Sequence, residues 1–594
     1  MSQPFLEKCL RFQLNPKSLS KPSAISLLTN AVNFLILGVI LCSFNTNAAK
    51  KKKLFDVNEI EAPFTITQPI LALNLFKNNK TSNLQDAQND TKELVVMGVD
   101  ENGLSWLAIY AINKTSEQYV LIDMLPIDKK FFAYDVSDDQ DYFTSVDNLT
   151  SSQIKTDKTE KLYFLSHDEV VSLQPSLSKE ISQSDKASVK ECCIDTLEKS
   201  RSSFVHEQEV KSIYLMESAT YLSRKNFIRD LNQDGIDDIV LDDFQSINVW
   251  TAKKSASEER EKEQKSLRLS PRVSLNRGGV TFTPKSIYYG DFNFDQMLDV
   301  AWIEKGELKY FAQQLDGNFS SNETSIAINE GIYGIRWWDM KTAEGEGLDQ
   351  SSLVHRVVEN IKDVNGDGIL DIIVQYTQSS GVLDRTNNYE FYFGKKELTP
   401  SKDNTAPASY TIQFPTIADT TIRADGTLTG LNVIDINQDN RYEVLLSSFE
   451  LSIGNVIGAL LSGGIDQNVL LFALNNDNVF TEKPIAEKEV ELSFSLSKGQ
   501  SGSPVIILED INADGLHDLI LSDDDELKIY KGLKKKSKRR FAKKALKQSL
   551  PLPKEGSNVL SYDLNNDQKN DFVISYSRLD KKGKQNKFAI LITK

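Results

Sequence analysis

Short apolar runs separated by acidic turns recur along the last two thirds of the chain. Each run contains several β-branched or aromatic residues, which is typical of buried β-strands. The runs follow acidic segments and begin at Asp238, Asp299, Asp371, Glu443, Asp518 and Asp571. Apolar residues also precede the acidic segments, as at 287–289 and 505–508. The pattern therefore predicts a repeated unit of strand, acidic loop and strand.

The acidic segments are six nonapeptides that align in register and begin 53 to 75 residues apart. They read DLNQDGIDD from Asp230, DFNFDQMLD from Asp291, DVNGDGILD from Asp363, DINQDNRYE from Asp435, DINADGLHD from Asp510 and DLNNDQKND from Asp563. We name them loops 1 to 6 and number their positions 1 to 9. Self-similarity at this period, with about four short strands per repeat, favours the blades of a β-propeller.

Each loop has carboxylates at positions 1, 5 and 9 and asparagine at position 3. Such a density of oxygen donors suits Ca²⁺, which takes about six to eight oxygen ligands. Glycine or asparagine at position 6 permits a tight turn in four loops, at Gly235, Gly368, Asn440 and Gly515. The carbonyl of position 7 is then the expected backbone ligand. Position 12, where a helical EF-hand needs glutamate, is apolar in all six loops.

The sequence therefore predicts up to six structural Ca²⁺ ions. The candidate ligands in the first three loops are Asp230, Asn232, Asp234, Ile236 and Asp238; Asp291, Asn293, Asp295, Met297 and Asp299; and Asp363, Asn365, Asp367, Ile369 and Asp371. In the last three loops they are Asp435, Asn437, Asp439, Arg441 and Glu443; Asp510, Asn512, Asp514, Leu516 and Asp518; and Asp563, Asn565, Asp567, Lys569 and Asp571.

These loops resemble the FG-GAP or VCBS repeats of integrin-α-like β-propellers, and bacterial exported proteins of this type look closer than integrins. The resemblance extends from residue 227 to the C-terminus, although the literal Phe-Gly and Gly-Ala-Pro signatures are poorly kept. It implies that each loop joins the first two strands of a blade and binds Ca²⁺ on one face of the disc. We therefore expect an all-β fold, a single β-propeller of seven or eight four-stranded blades.

Residues 50–226 are predicted to form the N-terminal part of this propeller, with degenerate blades. Segments 132–143 and 96–110 imitate the repeat; counting both gives eight blades, and counting only the first gives seven. The last repeat has only 32 residues from Asp563 onward, too few for four strands. A strand from the N-terminal region, within residues 65–75, is expected to complete it and close the ring, since open edges invite aggregation.

Residues 1–49 are predicted to be a signal peptide, because a basic stretch, an apolar run at 31–44 and small residues follow one another. An uncleaved anchor is the alternative, but about 14 apolar residues fall short of the ~20 that span a bilayer. We expect a secreted, periplasmic or cell-surface protein that contacts membrane only through such an anchor. The net charge of −15 disfavours nucleic acid as a partner.

Catalytic patterns are scarce, since the four histidines are scattered and no G-x-S-x-G, P-loop or H-E-x-x-H motif occurs. We predict a binding, adhesion or scaffold protein that takes a protein or glycan ligand on the face opposite the loops, without catalytic or cofactor residues. The alternative is an extracytoplasmic carbohydrate-active or phosphodiester hydrolase or lyase on a propeller scaffold. The roles of two segments are not decided by the sequence. The basic run at 534–547 is either a solvated loop or a polyanion site, and residues 452–461 are predicted to form a short inserted helix.

Overall fold

The chain folds into a succession of mainly antiparallel β-sheets within one compact unit, Lys53–Lys594. The computed structural model describes residues 53–76, 91–113, 116, 118–137, 159–176, 202–214, 220–243, 245–252, 262–269, 272–276, 279–283, 285–343, 349–381, 384–399, 409–424, 426–450, 464–495, 500–534 and 539–594. The predicted leader and the helix predicted at 452–461 lie outside these residues. Among the described residues, no helix has the length and apolar character needed to cross a membrane.

The first half of the chain contributes four sheets. Strand β1 (Phe55–Glu61) comes first and belongs to the last sheet of the chain. Sheet 1 contains β2 (Thr65–Ile66), β3 (Leu71–Leu73), β4 (Glu93–Val99), β5 (Ser105–Asn113) and β6 (Gln118–Pro126). Sheet 2 contains β7 (Ala133–Val136), β8 (Leu162–Leu165), β9 (Glu169–Gln174), β10 (Ser203–Glu209) and β11 (Ser223–Arg224). Sheet 3 contains β12 (Ile228–Arg229), β13 (Asp238–Asp242), β14 (Ser246–Ala252) and β15 (Lys262–Arg268). After the hairpin β16 (Arg272–Asn276) and β17 (Gly279–Thr283), sheet 4 contains β18 (Ile287–Gly290), β19 (Asp299–Glu304), β20 (Glu307–Phe311) and β21 (Thr324–Ala327).

The second half contributes a ten-stranded sheet and two further sheets. We describe the ten-stranded sheet as two halves, sheets 5 and 6, which meet at the parallel pairing of Asn387 with Thr427. Sheet 5 contains β22 (Ile332–Tyr333), helix α1 (Trp337–Ala343) in the connection that follows, β23 (Leu353–Lys362), β24 (Asp371–Gly381) and β25 (Asp384–Tyr392). Next come the hairpin β26 (Lys395–Thr399) and β27 (Ser409–Gln413), and then β28 (Thr420–Ile422), which pairs with β25. Sheet 6 contains β29 (Thr427–Ile434), β30 (Glu443–Phe449), β31 (Gly464–Phe472), β32 (Ala486–Ser495) and β33 (Gln500–Ser501). Sheet 7 contains β34 (Ile506–Glu509), β35 (Asp518–Asp523), β36 (Glu526–Tyr530) and β37 (Leu546–Ser549). Sheet 8 contains a 3₁₀ turn (Gly556–Asn558), β38 (Val559–Tyr562), β39 (Asp571–Ser575), β40 (Lys587–Thr593) and β1.

Hydrophobic clusters fill the interfaces between successive sheets. Apolar side chains on both faces of each sheet are buried, which is why the strands after the loops are continuous apolar runs rather than alternating ones. Among the described residues, one cluster joins each sheet to the next, from sheets 1 and 2 through to sheets 7 and 8. A further cluster packs Phe588 and Ile590 of sheet 8 against Leu94 and Val96 of sheet 1. The packing is therefore cyclic, in a propeller-like arrangement.

Strand β1 completes the last sheet, where it pairs antiparallel with β40 over its full length. The expectation that a strand within residues 65–75 does so is wrong, because β2 and β3 pair with β4 in sheet 1. The N-terminal strand of the described chain and its last strand thus lie side by side. As predicted, the last sheet takes a strand from the N-terminal region, but that strand lies ten residues earlier than expected.

Candidate metal centre

The six acidic loops occupy equivalent places in sheets 3 to 8. In five sheets the loop connects the first strand to the second: β12 to β13, β18 to β19, β29 to β30, β34 to β35 and β38 to β39. In sheet 5 the two-residue strand β22 comes first, and the loop connects β23 to β24. The strand–loop–strand unit that the sequence predicts is therefore present six times. All thirty candidate ligands lie within these connections or at the first residue of the strand that follows.

The position-1 aspartate organises each loop. One of its carboxylate oxygens accepts a hydrogen bond from the backbone N–H of position 6, at 2.7–3.0 Å in all six loops. The position-5 carboxylate accepts the N–H of position 7 in the same way, at 2.8–3.1 Å. These bonds curl the backbone around the acidic side chains. The candidate ligands at positions 1, 5 and 7 are thereby brought into one short turn.

The asparagine at position 3 takes two arrangements. In loops 1, 2, 3 and 6 its side-chain oxygen accepts the N–H of position 5, at 3.0–3.2 Å. In loops 4 and 5 its amide nitrogen donates instead to the position-9 carboxylate, at 3.0 Å from Asn437 and 2.9 Å from Asn512. The amide therefore faces the other acidic groups of its loop in every copy.

Two positions of every loop adopt the left-handed backbone conformation. Position 6 does so as the sequence predicts, with φ of +81° at Gly235 and +61° at Asn440. Position 4 does so as well, although it is Phe294 in loop 2 and Ala513 in loop 5. A left-handed non-glycine residue costs about 1–2 kcal/mol. Retention of this geometry in all six loops indicates that the turn itself is needed, since such strain concentrates at functional sites.

The position-9 carboxylate is buried and accepts hydrogen bonds from backbone N–H groups of its loop and sheet. Asp299, for example, is 0% exposed and accepts the N–H of Phe292 at 3.0 Å and of Gln313 at 2.9 Å. Phe292 is position 2 of the loop, and Gln313 follows the third strand of the sheet. The corresponding acceptors in loops 1, 3 and 6 are Asp238, Asp371 and Asp571. Position 9, the first residue of one strand, therefore joins the loop to the end of the next strand.

The three carboxylates of each loop lie near enough to repel one another. Burial raises the pKa of Asp299 and of Asp371 to about 8, and repulsion by the carboxylates at positions 1 and 5 contributes to the increase. The pKa values of Asp238, Glu443 and Asp571 rise to about 7 for the same reasons, and that of Asp518 also rises. A cation would relieve this repulsion.

Backbone hydrogen bonds connect neighbouring loops. The N–H of Tyr442 in loop 4 donates to the carbonyl of Val364 in loop 3 at 3.0 Å, and the N–H of His517 in loop 5 donates to that of Ile436 in loop 4 at 3.1 Å. The N–H of Asn570 in loop 6 donates to the carbonyl of Asp510 at 3.4 Å. Loops 3 to 6 therefore share one edge of the assembly and can transmit strain to one another.

We expect Gly366→Ala to destabilise the protein more than Gly368→Ala. Both glycines are left-handed, with φ of +76° and +80°, so each substitution costs about 1–2 kcal/mol in backbone strain. A Cβ at Gly366 would lie 2.0 Å from the carbonyl oxygen of Asn440, whereas a Cβ at Gly368 meets nothing within 4 Å. The clash should add about 1–3 kcal/mol. Urea unfolding in calcium buffer measures both variants, and equal losses would contradict the contact between loops 3 and 4.

The loop residues have the donor atoms that a Ca²⁺ site needs, but their side chains do not yet point to one common centre. Among the described residues, no group of three or more His, Cys, Asp or Glu side chains stands in a metal-holding arrangement. Three carboxylates with an amide and a backbone carbonyl nevertheless form the oxygen-rich set that Ca²⁺ prefers. Sequence reasoning missed the left-handed position 4, for which only Gly366 and Asn566 gave a signal. It also missed the bonds between loops.

No family model matches the chain, and no curated relative matches it. Solved structures match it at low similarity, and one of them is a β-propeller domain. The Nup133 β-propeller domain of Vanderwaltozyma polyspora is 10% identical, with coverage of 60% of this chain and 91% of that one and a TM-score of 0.25. An Agrocybe aegerita lectin that recognises non-reducing terminal N-acetylglucosamine is 11% identical, with coverage of 89% and 99% and a TM-score of 0.35. The Photorhabdus luminescens Tc holotoxin pore is 13% identical over 86% of this chain, at a TM-score of 0.26, but the chain spans only 17% of that one's length. At these identities and TM-scores the matches carry no argument about function.

Proposed function

We propose that the chain is an exported, eight-bladed β-propeller of the FG-GAP or VCBS type, stabilised by Ca²⁺ in its acidic loops, which serves as a binding or adhesion scaffold rather than an enzyme. The blade number rests on counting the two halves of the ten-stranded sheet as separate blades, since a hydrophobic cluster packs between them, and on the cyclic succession of such clusters. The strands within residues 96–110 belong to sheet 1, and Ala133–Val136 belongs to sheet 2, which supports counting both as blades; residues 138–143 lie outside the described residues. The leader predicted at residues 1–49 supports export.

The observation that carries the proposal is the sixfold recurrence of one left-handed loop geometry around three mutually repelling carboxylates. Charge repulsion, and left-handed backbone at the non-glycine residues of positions 4 and 6, are unfavourable without a ligand. Ca²⁺ would offset both, because it draws the carboxylates, the amide and the position-7 carbonyl onto one centre. Its role would be structural, since these protein oxygens take most of its coordination sphere.

Elemental analysis of the purified protein after gel filtration tests the metal. We expect several moles of calcium per mole of chain and no comparable amount of zinc or copper, which prefer nitrogen and sulfur ligands. Protein that holds no calcium at millimolar free Ca²⁺, while folded by circular dichroism, would refute the proposal.

The ligand surface is proposed at the edge of sheet 5 that faces away from the loops. Strands β23, β24 and β25 have 10, 11 and 9 residues, whereas β13 and β39 have five each, so sheet 5 extends further at that end. Val354, the second residue of β23, lies at that end and is 56% exposed. Helix α1, which precedes β23 and contacts β16 and β17, exposes 38% of Trp338. Exposed aromatic and aliphatic groups of this kind suit a glycan or protein ligand.

A glycan array probed with the calcium-loaded protein tests this surface. We expect binding that Trp338→Ala weakens about tenfold, which corresponds to ~1.4 kcal/mol. Val57→Ala, at a similarly exposed residue of sheet 8, is the matched control and should leave binding unchanged. Turnover of a glycan or phosphodiester that is lost on changing a carboxylate outside the loops would instead support the hydrolase alternative.

A further inference from the structure

Arg540 reaches loop 4 from a distant part of the chain. It lies between β36 and β37 of sheet 7, in the basic run at 534–547. The neighbouring Phe541 is buried between sheets 6 and 7 and forms a β-bridge with Gly532. The N–H of Leu533 donates to the carbonyl of Arg540 at 2.7 Å. The backbone at Arg540 is therefore held firmly beside sheet 6.

The guanidinium of Arg540 faces the position-9 carboxylate of loop 4. Its Nη2 lies 3.7 Å from Oε1 of Glu443, and the two side chains are only 19% and 5% exposed. The Nη1 atom is buried without a hydrogen-bond partner among the described residues, so solvent screens this charge little. The attraction opposes the rise that burial causes in the pKa of Glu443.

Loop 4 differs in this respect from the other loops. In loops 1, 2, 3, 5 and 6, one oxygen of position 9 accepts a backbone N–H at 2.7–3.0 Å. The donor lies at or just beyond the end of the strand that comes next in the chain after the one that position 9 begins. In loop 4 the corresponding oxygen faces the amide of Asn437 and the guanidinium of Arg540. Of the position-9 carboxylates, Glu443 is the one with an ion pair within 4 Å in the described part of the chain.

Lysine also approaches loop 6, but in a different way. Nζ of Lys569 lies 3.3 Å from Oδ2 of Asp567, with side chains 29% and 34% exposed. Such a pair is solvent-screened, and the flexible lysine can swing away at little cost. Arg540 is less free to move, because its side chain is only 19% exposed. Its displacement would leave the buried carboxylate of Glu443 without this opposite charge.

We infer that Arg540 takes the place of calcium in loop 4, so that the chain binds metal in five loops and neutralises the sixth with a cation of its own. This inference rests on the proposed function of the other loops. A divalent ion in loop 4 would have to share its carboxylates with a fixed positive charge, which removes much of its electrostatic gain. The junction between sheets 6 and 7 would then be held without added metal.

Native mass spectrometry of the calcium-loaded full chain tests the inference. We expect five bound Ca²⁺ ions in the wild type, six in Arg540→Met and five in Arg540→Lys, which keeps the charge. Six ions in the wild type, or five in Arg540→Met, would overturn the inference but leave the proposed function intact. An absence of bound calcium in all three proteins would overturn both.

A second pair of variants decides the question if Arg540→Met does not fold. Asp439→Asn in loop 4 and Asp367→Asn in loop 3 remove the same position-5 carboxylate from different loops. We expect Asp367→Asn to lose one Ca²⁺ and Asp439→Asn to keep the wild-type number. Loss of an ion from Asp439→Asn would show that loop 4 binds metal and would overturn the inference.

Discussion

Chelation of calcium is expected to lower the free energy of unfolding by on the order of 10 kcal/mol, more than any single substitution. Each site that binds only the folded chain contributes about 2.7 kcal/mol when free Ca²⁺ is a hundredfold above its Kd, and five loops contribute together. Without the ion, the carboxylates of each loop repel, and the non-glycine residues at positions 4 and 6 keep their left-handed strain. A whole domain is stable by only about 5–15 kcal/mol, so the calcium-free chain should be close to unfolding.

Urea unfolding followed by tryptophan fluorescence measures this effect in calcium and in EGTA. The control is EGTA with excess Mg²⁺, which demands stricter octahedral geometry and should restore little stability. Limited proteolysis should cut the chelated protein first near loops 1 to 3, 5 and 6. An unchanged unfolding midpoint in EGTA would contradict a structural role for calcium.

Phe55→Ala is expected to lower the free energy of unfolding by about 3–5 kcal/mol, the usual cost of truncating a buried aromatic residue. Phe55 is 1% exposed and packs edge-on against Phe572, with ring centroids 5.6 Å apart. It also begins β1, the strand that covers the edge of β40. Its loss therefore weakens both the core between sheets 7 and 8 and the closure of the last sheet.

Val57→Ala is the matched control in the same strand, since Val57 is 48% exposed and its truncation should cost less than about 0.5 kcal/mol. Chemical unfolding in calcium buffer compares the two variants. Size-exclusion chromatography should also detect association of Phe55→Ala, because a weakened β1 leaves β40 as an open edge. Equal stability of the two variants would mean that β1 does not stabilise the last sheet.

The acidic loops could be located from sequence because their pattern is local. A nonapeptide with acids at positions 1, 5 and 9 closes on itself through hydrogen bonds between residues two to five apart, as between Asp291 and Gln296. Glycine at position 6 likewise predicts a left-handed backbone conformation from the residue type alone. Phe294 at position 4 gives no such prediction, since a bulky residue is left-handed only where its surroundings require it.

The closing strand and Arg540 could not be located in this way. Phe55–Glu61 and residues 65–75 are both strand-like, and which of them meets β40 depends on how the first sheet packs. Arg540 lies 97 residues after Glu443 in the sequence and is one of many cations in the basic run at 534–547. Only the burial of Phe541 between sheets 6 and 7 selects it.

The amino-acid sequence by itself determined the all-β class, the repeated strand–loop–strand unit and the six acidic loops, because periodicity and short-range hydrogen bonds act within a few residues of the chain. The tertiary structure decided which strand completes the last sheet, how the loops bond to one another and which cation faces loop 4. These features depend on contacts between segments far apart in sequence, and such contacts form only when the sheets pack around their shared hydrophobic clusters.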